Sequence, residues 1–189
     1  ARDPSNAGGL LGVTSGRAPT LHRFDAEGRS VEQLALPMLE RIRPGDELVP
    51  TALVSGSSTT TIAIVFTTTP LSGVTWLVTV SAAGSLRWLR TAPPRAGQLR
   101  SASALVDDAL FIADPDGGQV VRMPLVGQTS TLTLAPPRGA SDDAGAVYWH
   151  APTARLVVST TSKRAALWTL DPGTGTASRA FGYEAEVVP

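Results

Sequence analysis

Apolar residues in this chain come in short runs of four to eight, rich in Val, Ile, Thr and aromatics and cut by Gly, Pro, Asp and Ser. Runs of that length and composition predict β-strands bounded by turns. Four segments repeat one layout, strand–turn–strand: Thr20–Pro37, Thr75–Pro94, Gln119–Pro137 and Ala166–Gly182. Their turn glycines are Gly28, Gly84, Gly127 and Gly175, at steps of 56, 43 and 48 residues. Helix periodicity is weak. The best helical candidate, Val31–Ile42, carries Pro37 in its middle, which would cost a helix about 3 kcal/mol. Ser30–Leu36 therefore reads as a strand and Met38–Pro50 as a connecting loop.

Another apolar run precedes each hairpin: Gly9–Thr14, Thr61–Phe66, Ala109–Ala113 and Arg155–Ser159. Three of these have one further run before them, Thr51–Val54, Ser101–Val106 and Ala146–His150. Three repeats thus hold four strands each, while the first lacks its inner strand. A spare run, Tyr183–Val188, lies at the other end of the chain. A repeat of about 45 residues built only from strands is the spacing of propeller blades, and a last strand that completes the first blade removes free edges. The expected fold is an all-β small β-propeller of four blades of four antiparallel strands, closed by the C-terminal strand. The blades would be 1–37 with 183–189, 51–94, 101–137 and 145–182, with 38–50 as a connecting loop. A sandwich or another barrel uses the same hairpins and stays open as an alternative, as does a piece of a larger propeller.

The turn chemistry agrees with the hairpins. Asp25 to Gly28, Asp114 to Gly118 and Asp171 to Gly175 each put Asp first and Gly late. Asp bonds its own backbone two residues on, and Gly accepts positive φ. The Asp114-Pro-Asp-Gly stretch lacks the alternating carboxylates and terminal Glu of a calcium loop, so it reads as a plain turn.

Composition narrows the function classes. The 189 residues are enough for one domain with a real core. Sixteen basic and 16 acidic residues cancel and are spread along the chain. No basic block is present to neutralise phosphates, which argues against nucleic-acid binding. There is no cysteine, so disulfides and zinc–thiolate sites are excluded. No apolar run approaches the ~20 residues of a membrane helix. The chain starts at Ala1 rather than Met, which fits a processed form or a fragment. A bacterial protein that is secreted, periplasmic or held in the cell envelope is the expectation.

The stretches ALFIADPDGGQVVRMPLVG (109–127) and RLVVSTTSKRAALWTLDPGTGTASRAF (155–181) have the general form strand, turn, strand, then Asp and Gly. In this the chain resembles bacterial β-propeller repeat proteins, a resemblance that implies an architecture and no specific family. Gly-His and Trp-Asp pairs of WD40 blades are absent, as is the Ser-x-Asp-x-Gly-x-x-Trp box of sialidase-like blades. The closing disulfide of hemopexin-like propellers cannot exist here.

Candidate chemistry is sparse. The histidines are His22 and His150. His150 ends an inner run after Tyr148 and Trp149, a position that can line a central channel, but a metal site there would need carboxylate company. The pairs Asp107-Asp108 and Asp142-Asp143 fall at turns, where solvated Asp is expected. The inner runs offer almost no acids. No Gly-x-Ser-x-Gly elbow and no phosphate loop is present. Trp76, Trp88, Trp149 and Trp168 read mainly as core. Long connectors on a rigid scaffold carry function more often than short ones. The expected partner-binding residues are therefore Arg41, Arg43 and Glu47 in the 38–50 connector, Arg87, Trp88 and Arg90 on an outer strand, and Lys163 and Arg164 in a turn. The resulting expectation is a non-catalytic protein-binding or scaffolding domain, with no cofactor and no metal. The alternatives are a propeller hydrolase or lyase with a channel site around His150, and a carbohydrate-binding module.

Overall fold

The computed structural model describes residues 3, 8–36, 44–56, 61–69, 75–81, 86–91, 103–114, 118–124, 130–134, 144–160 and 166–182. They form antiparallel strands and one 3-10 turn, arranged in four sheets of three or four strands. The chain divides into two compact units, Ala1–Arg100 and Ser101–Pro189.

In the first unit, β1 (Leu10–Val13), β2 (Thr20–Phe24) and β3 (Ser30–Ala35) make a three-stranded meander. The next sheet is β4 (Glu47–Ser55), β5 (Ile62–Thr69), β6 (Thr75–Val80) and β7 (Leu86–Thr91), paired in sequence order. The two sheets meet through one core: Leu11 and Leu21 from the first, Ile62, Ile64, Phe66, Trp76 and Val78 from the second. β5 is the near-continuous apolar run Ile62–Phe66, buried on both faces: Ala63 and Val65 are as buried as their neighbours. β-branched and aromatic residues suit such a doubly covered strand. On β2, Arg23 sits between Glu32 on β3, at 3.3 Å, and the buried carboxylate of Asp3, at 3.9 Å.

In the second unit, β8 (Ala104–Val106), β9 (Ala109–Asp114), β10 (Gln119–Pro124) and β11 (Ser130–Thr133) form one sheet. β12 (Ala144–His150), β13 (Arg155–Thr160), β14 (Ala166–Leu170) and β15 (Ala177–Gly182) form the other. Their shared core holds Phe111, Val120, Val147, Leu156, Val158 and Trp168. β9 is again buried on both faces, with Leu110 and Ile112 opposite Phe111.

Four repeats of sequential antiparallel strands are what the spacing predicts, including a first repeat one strand short. Closure is different: no sheet closes on itself among the described residues, and the run Tyr183–Val188 lies outside them. The Met38–Pro50 connector also needs correction. Its last residues are strand, because β4 starts at Glu47 and runs through Pro50. Pro50 pairs with Phe66 and Ala52 with Val65, which leaves Thr51 as a bulge. A bulge tolerates a residue that cannot donate to the ladder. The Thr51 hydroxyl instead donates to the Val65 carbonyl at 3.2 Å.

Two of the three Asp–Gly turns close as their composition predicts, while residues 115–117 of the third, Asp114 to Gly118, lie outside the described residues. Asp25 Oδ1 accepts from the backbone N–H of Glu27 at 3.1 Å and of Arg29 at 2.8 Å, and Gly28 takes φ +81°. Asp171 Oδ1 accepts from Gly173 and Thr174, each at 2.9 Å. The Thr174 and then the Gly173 backbone N–H hold the Asp171 carboxyl below its ordinary value of 3.8. A depressed folded value means that the carboxylate stabilises the fold fully above the unfolded pKa, and that this is lost as pH falls through the folded one. Acidification below about pH 4 should therefore lower the Tm of the protein more steeply than that of Asp171→Asn. Equal slopes in a pH series of thermal melts would contradict this role.

Gly175 ends the same turn at φ +74°, and a Cβ there would stand 3.0 Å from Leu132 Cδ2 of β11. Left-handed backbone costs a residue with a Cβ about 1–2 kcal/mol, and the tight neighbour adds to it. Gly175→Ala should accordingly lower unfolding free energy by at least about 1 kcal/mol in urea titration, whereas Gly173→Ala should lose less.

Candidate functional site

Period-two alternation on β12 sends Val147 and Trp149 to the core of the second unit and Tyr148 and His150 to the opposite face. The ladders carry that far face across the sheet. Tyr148 lies opposite Val157 and His150 opposite Arg155 on β13. Val157 lies opposite Thr169 and Ser159 opposite Leu167 on β14. Thr169 and Leu167 then pair with Ser178 and Phe181 on β15. Large apolar side chains stay in water here: Tyr148 is 53% exposed, Leu167 41% and Phe181 60%. Aromatic and aliphatic anchors grouped on one surface mark a contact face more than scattered exposed residues do.

Hydrogen bonds stiffen the two margins of this face. After β12, Ala151–Thr153 form a single 3-10 turn that ends on Ala154 at φ +48°. The turn brings the Thr153 hydroxyl to 2.8 Å from His150 Nδ1. That contact orients the ring and leaves Nε2 as the nitrogen open to an outside group. Near the other margin, the hydroxyls of Thr169 and Ser178 lie 2.8 Å apart. Among the described residues no group of three or more His, Cys, Asp or Glu can hold a metal ion, and no helix is long and apolar enough to cross a membrane.

The other histidine lies in the first unit. His22 stacks on Phe24 with ring centroids 6.1 Å apart and planes at 18°. Both belong to the face of the β1–β3 sheet that points away from that unit's core, together with Leu10, which is 52% exposed.

The partner-binding residues expected from the sequence are not gathered into one site among the described residues. Arg41, Arg43, Lys163 and Arg164 lie outside them. Glu47 is exposed, but as the first residue of β4 rather than part of a loop. Arg87 is exposed on β7 opposite Thr79. Positions 88 and 90 pair with Val78 and Trp76, so they fall on the other face of the sheet from Arg87. Sequence reading passed over Leu167 and Phe181. The signal was available in the alternation of Ala166, Trp168 and Leu170 against Leu167 and Thr169, but which parity faces the core is set by packing against the β8–β11 sheet.

No protein-family model matches the chain, and no curated protein does. Solved structures do. A streptogramin B lyase structure superposes with a TM-score of 0.50 at 16% identity, over 94% of this chain and 54% of that one. A catalytically inactive histidine-to-alanine variant of virginiamycin B lyase from Staphylococcus aureus, solved with quinupristin, gives 0.49 at 15% identity, over 94% and 56%. The selenomethionine form of virginiamycin B lyase from the same organism gives 0.47 at 14% identity, over 93% and 55%. The chain therefore spans about half the length of these neighbours. What the likeness to the streptogramin B lyase structure establishes is the architecture, an all-β, propeller-like arrangement of antiparallel sheets.

Proposed function

We propose that the protein is a non-catalytic interaction domain of propeller-like architecture, and that it binds a protein partner through the far face of the β12–β15 sheet. The observation that carries this reading is the exposure of Tyr148, Leu167 and Phe181 together on one rigid face. Burying three such side chains is worth several kcal/mol at about 1.5–3 kcal/mol each, before the cost of association. A sheet face changes little on binding, so recognition rests on shape and on a few anchors. The test is a photo-crosslinking residue at position 148, with position 173 in the exposed β14–β15 turn as control. A defined protein adduct at 148 and none at 173 supports the reading. Adducts of equal yield and identity at both positions would reject it.

A second reading has one observation in its favour. Tyr148 and His150 share a strand face, and Thr153 holds His150 Nδ1. In a lyase of the kind the solved neighbour is named for, His150 Nε2 would take a proton while the Tyr148 hydroxyl protonates the leaving group. Incubation with quinupristin and chromatography of the product tests it. A new peak lost in His150→Ala supports the lyase, and unchanged quinupristin at high protein concentration rejects it for that substrate.

A further inference from the structure

We propose that the protein partner presents a carboxylate side chain next to an apolar one, and that Arg155 and His150 receive the carboxylate. The inference rests on the interaction-domain reading and names the chemistry its partner must carry.

The far face of the β12–β15 sheet is graded along its strands. His150 and Arg155 are direct partners across the β12–β13 ladder, at the end of the sheet where that hairpin turns. Asp171 follows the Leu156–Leu170 pair and starts the β14–β15 turn at the same end. One step along the strands lie Tyr148, Val157, Thr169 and Ser178, and one step further Ser159, Leu167 and Phe181. Formal charge is confined to the first row, and the exposed apolar side chains stand behind it.

Arg155 is half-buried on β13. Among the described residues its guanidinium holds no carboxylate and donates no hydrogen bond. Arg23 and Arg29, by contrast, reach carboxylates at 3.3 and 2.9 Å. Asp171, the acid next to Arg155 by register, turns its Oδ1 to the Gly173 and Thr174 backbone N–H. Those of Thr174 and then Gly173 lower its carboxyl most, and Arg155 least. A guanidinium is a planar fork of donors that matches a carboxylate. Beside it, the Thr153 hydroxyl engages His150 Nδ1. In the tautomer where that hydroxyl donates, Nε2 carries the hydrogen and is a second outward donor. His150 Nε2 has no partner among the described residues.

Local charge selects the ligand. One arginine beside one aspartate suits a single negative charge, whereas a phosphate dianion would face Asp171 with charge in excess. A carboxylate with an apolar group beside it fills the first two rows, since same-face neighbours on a strand are about 6.6 Å apart. The carboxylate then meets Arg155 and His150, and the apolar group packs on Tyr148.

The chain has two histidines, so ring-proton NMR of the whole protein reads the site, with His22 of the first unit as internal control. The probe is N-acetylphenylalanine at millimolar concentration and fixed ionic strength, compared with N-acetylphenylalaninamide and inorganic phosphate. The acid should move the His150 resonances saturably and leave His22 in place. The amide should bind at least about tenfold more weakly, the equivalent of about 1.4 kcal/mol. Arg155→Gln should bring the acid down to the affinity of the amide. Arg155→Lys keeps the charge without the fork and should retain part of the difference. Near-UV circular dichroism of both variants should match the unmodified protein.

Acid and amide that titrate alike, or an unmoved His150, overturn the inference. So does phosphate that saturates the site at lower concentration than the acid, since that pattern means a bare anion site. The crosslinking residue at position 148 separates this outcome from the underlying reading. An adduct lost in Arg155→Gln and partly restored in Arg155→Lys supports the acidic partner. An undiminished adduct in Arg155→Gln removes the acidic partner and leaves the interaction-domain reading standing. No adduct in the unmodified protein removes both.

Discussion

Trp168→Ala should destabilise the protein by about 3–5 kcal/mol, the range for truncating a buried Trp to Ala. For a chain of this length that is roughly 6–20 °C in Tm. Trp168 is 3% exposed at the middle of β14, directly opposite Val158, and both belong to the core that joins the two sheets of the second unit. Its side chain belongs to the core those sheets share, so truncation leaves a void lined by residues already held in place by hydrogen-bonded ladders. Such a backbone cannot collapse far into the space, which puts the cost toward the upper end of the range. Trp168→Phe keeps most of the volume and should lose less. Calorimetry of the three proteins checks the order, and a loss below about 1 kcal/mol for Trp168→Ala would show that the site relaxes, against the packing described.

Thr160→Val should cost about 1–3 kcal/mol, the range for leaving a buried polar group without a partner, although it preserves side-chain shape. Thr160 is buried at the end of β13, and Ala166 is buried at the start of β14. The Ala166 backbone N–H donates to Thr160 Oγ1 at 2.9 Å, and the same hydroxyl donates back to the Ala166 carbonyl at 3.4 Å. One side chain thus satisfies both backbone polar groups of the buried Ala166, just beyond the last paired residues of β13 and β14. Valine removes the hydroxyl and strands them. Thr160→Ser retains it and should lose much less, through the missing methyl. Faster hydrogen exchange at the Ala166 amide in the valine variant, with Ser near the unmodified rate, is the accompanying signature.

The strands were legible in the sequence because each one obeys local rules. β9 and β13 follow directly from their runs of Val, Leu, Ile and Phe, and the β14–β15 hairpin from Asp171, Gly173 and Gly175 placed in the order that an Asp-led turn requires. Even the short first repeat could be counted. The start of β4 could not, because Pro50 is a strand breaker by every local rule. What admits it is a bulge at Thr51 that exists only once β5 is alongside. The candidate site was hidden for a similar reason. Charged residues such as Glu47 and Arg87 stand out in a sequence, and both are exposed, yet solvated charge is the ordinary state of a surface. The face that carries Tyr148, Leu167 and Phe181 depends on which side of β12 and β14 meets another sheet. That is a property of how one sheet packs on another, and the same alternation would read identically with the parities exchanged.

Among the described residues the strands of each sheet pair in chain order, so each sheet is a meander without a crossover, and a bridge outside the ladders joins Gly16 to Leu48 of β4. This has a consequence for synthesis. A nascent chain leaving the ribosome can complete one sheet's ladder before the next has been translated, since ladder partners are neighbours in the chain. All-β proteins are slow to fold when their pairings are far apart in sequence, and this arrangement keeps the searches short. The sensitive moment is the interval in which a finished sheet holds an apolar face with its neighbour still untranslated, the kind of exposure that invites aggregation. Slow translation after Thr133, through β12 to β15, would prolong it for the sheet that β8 to β11 build.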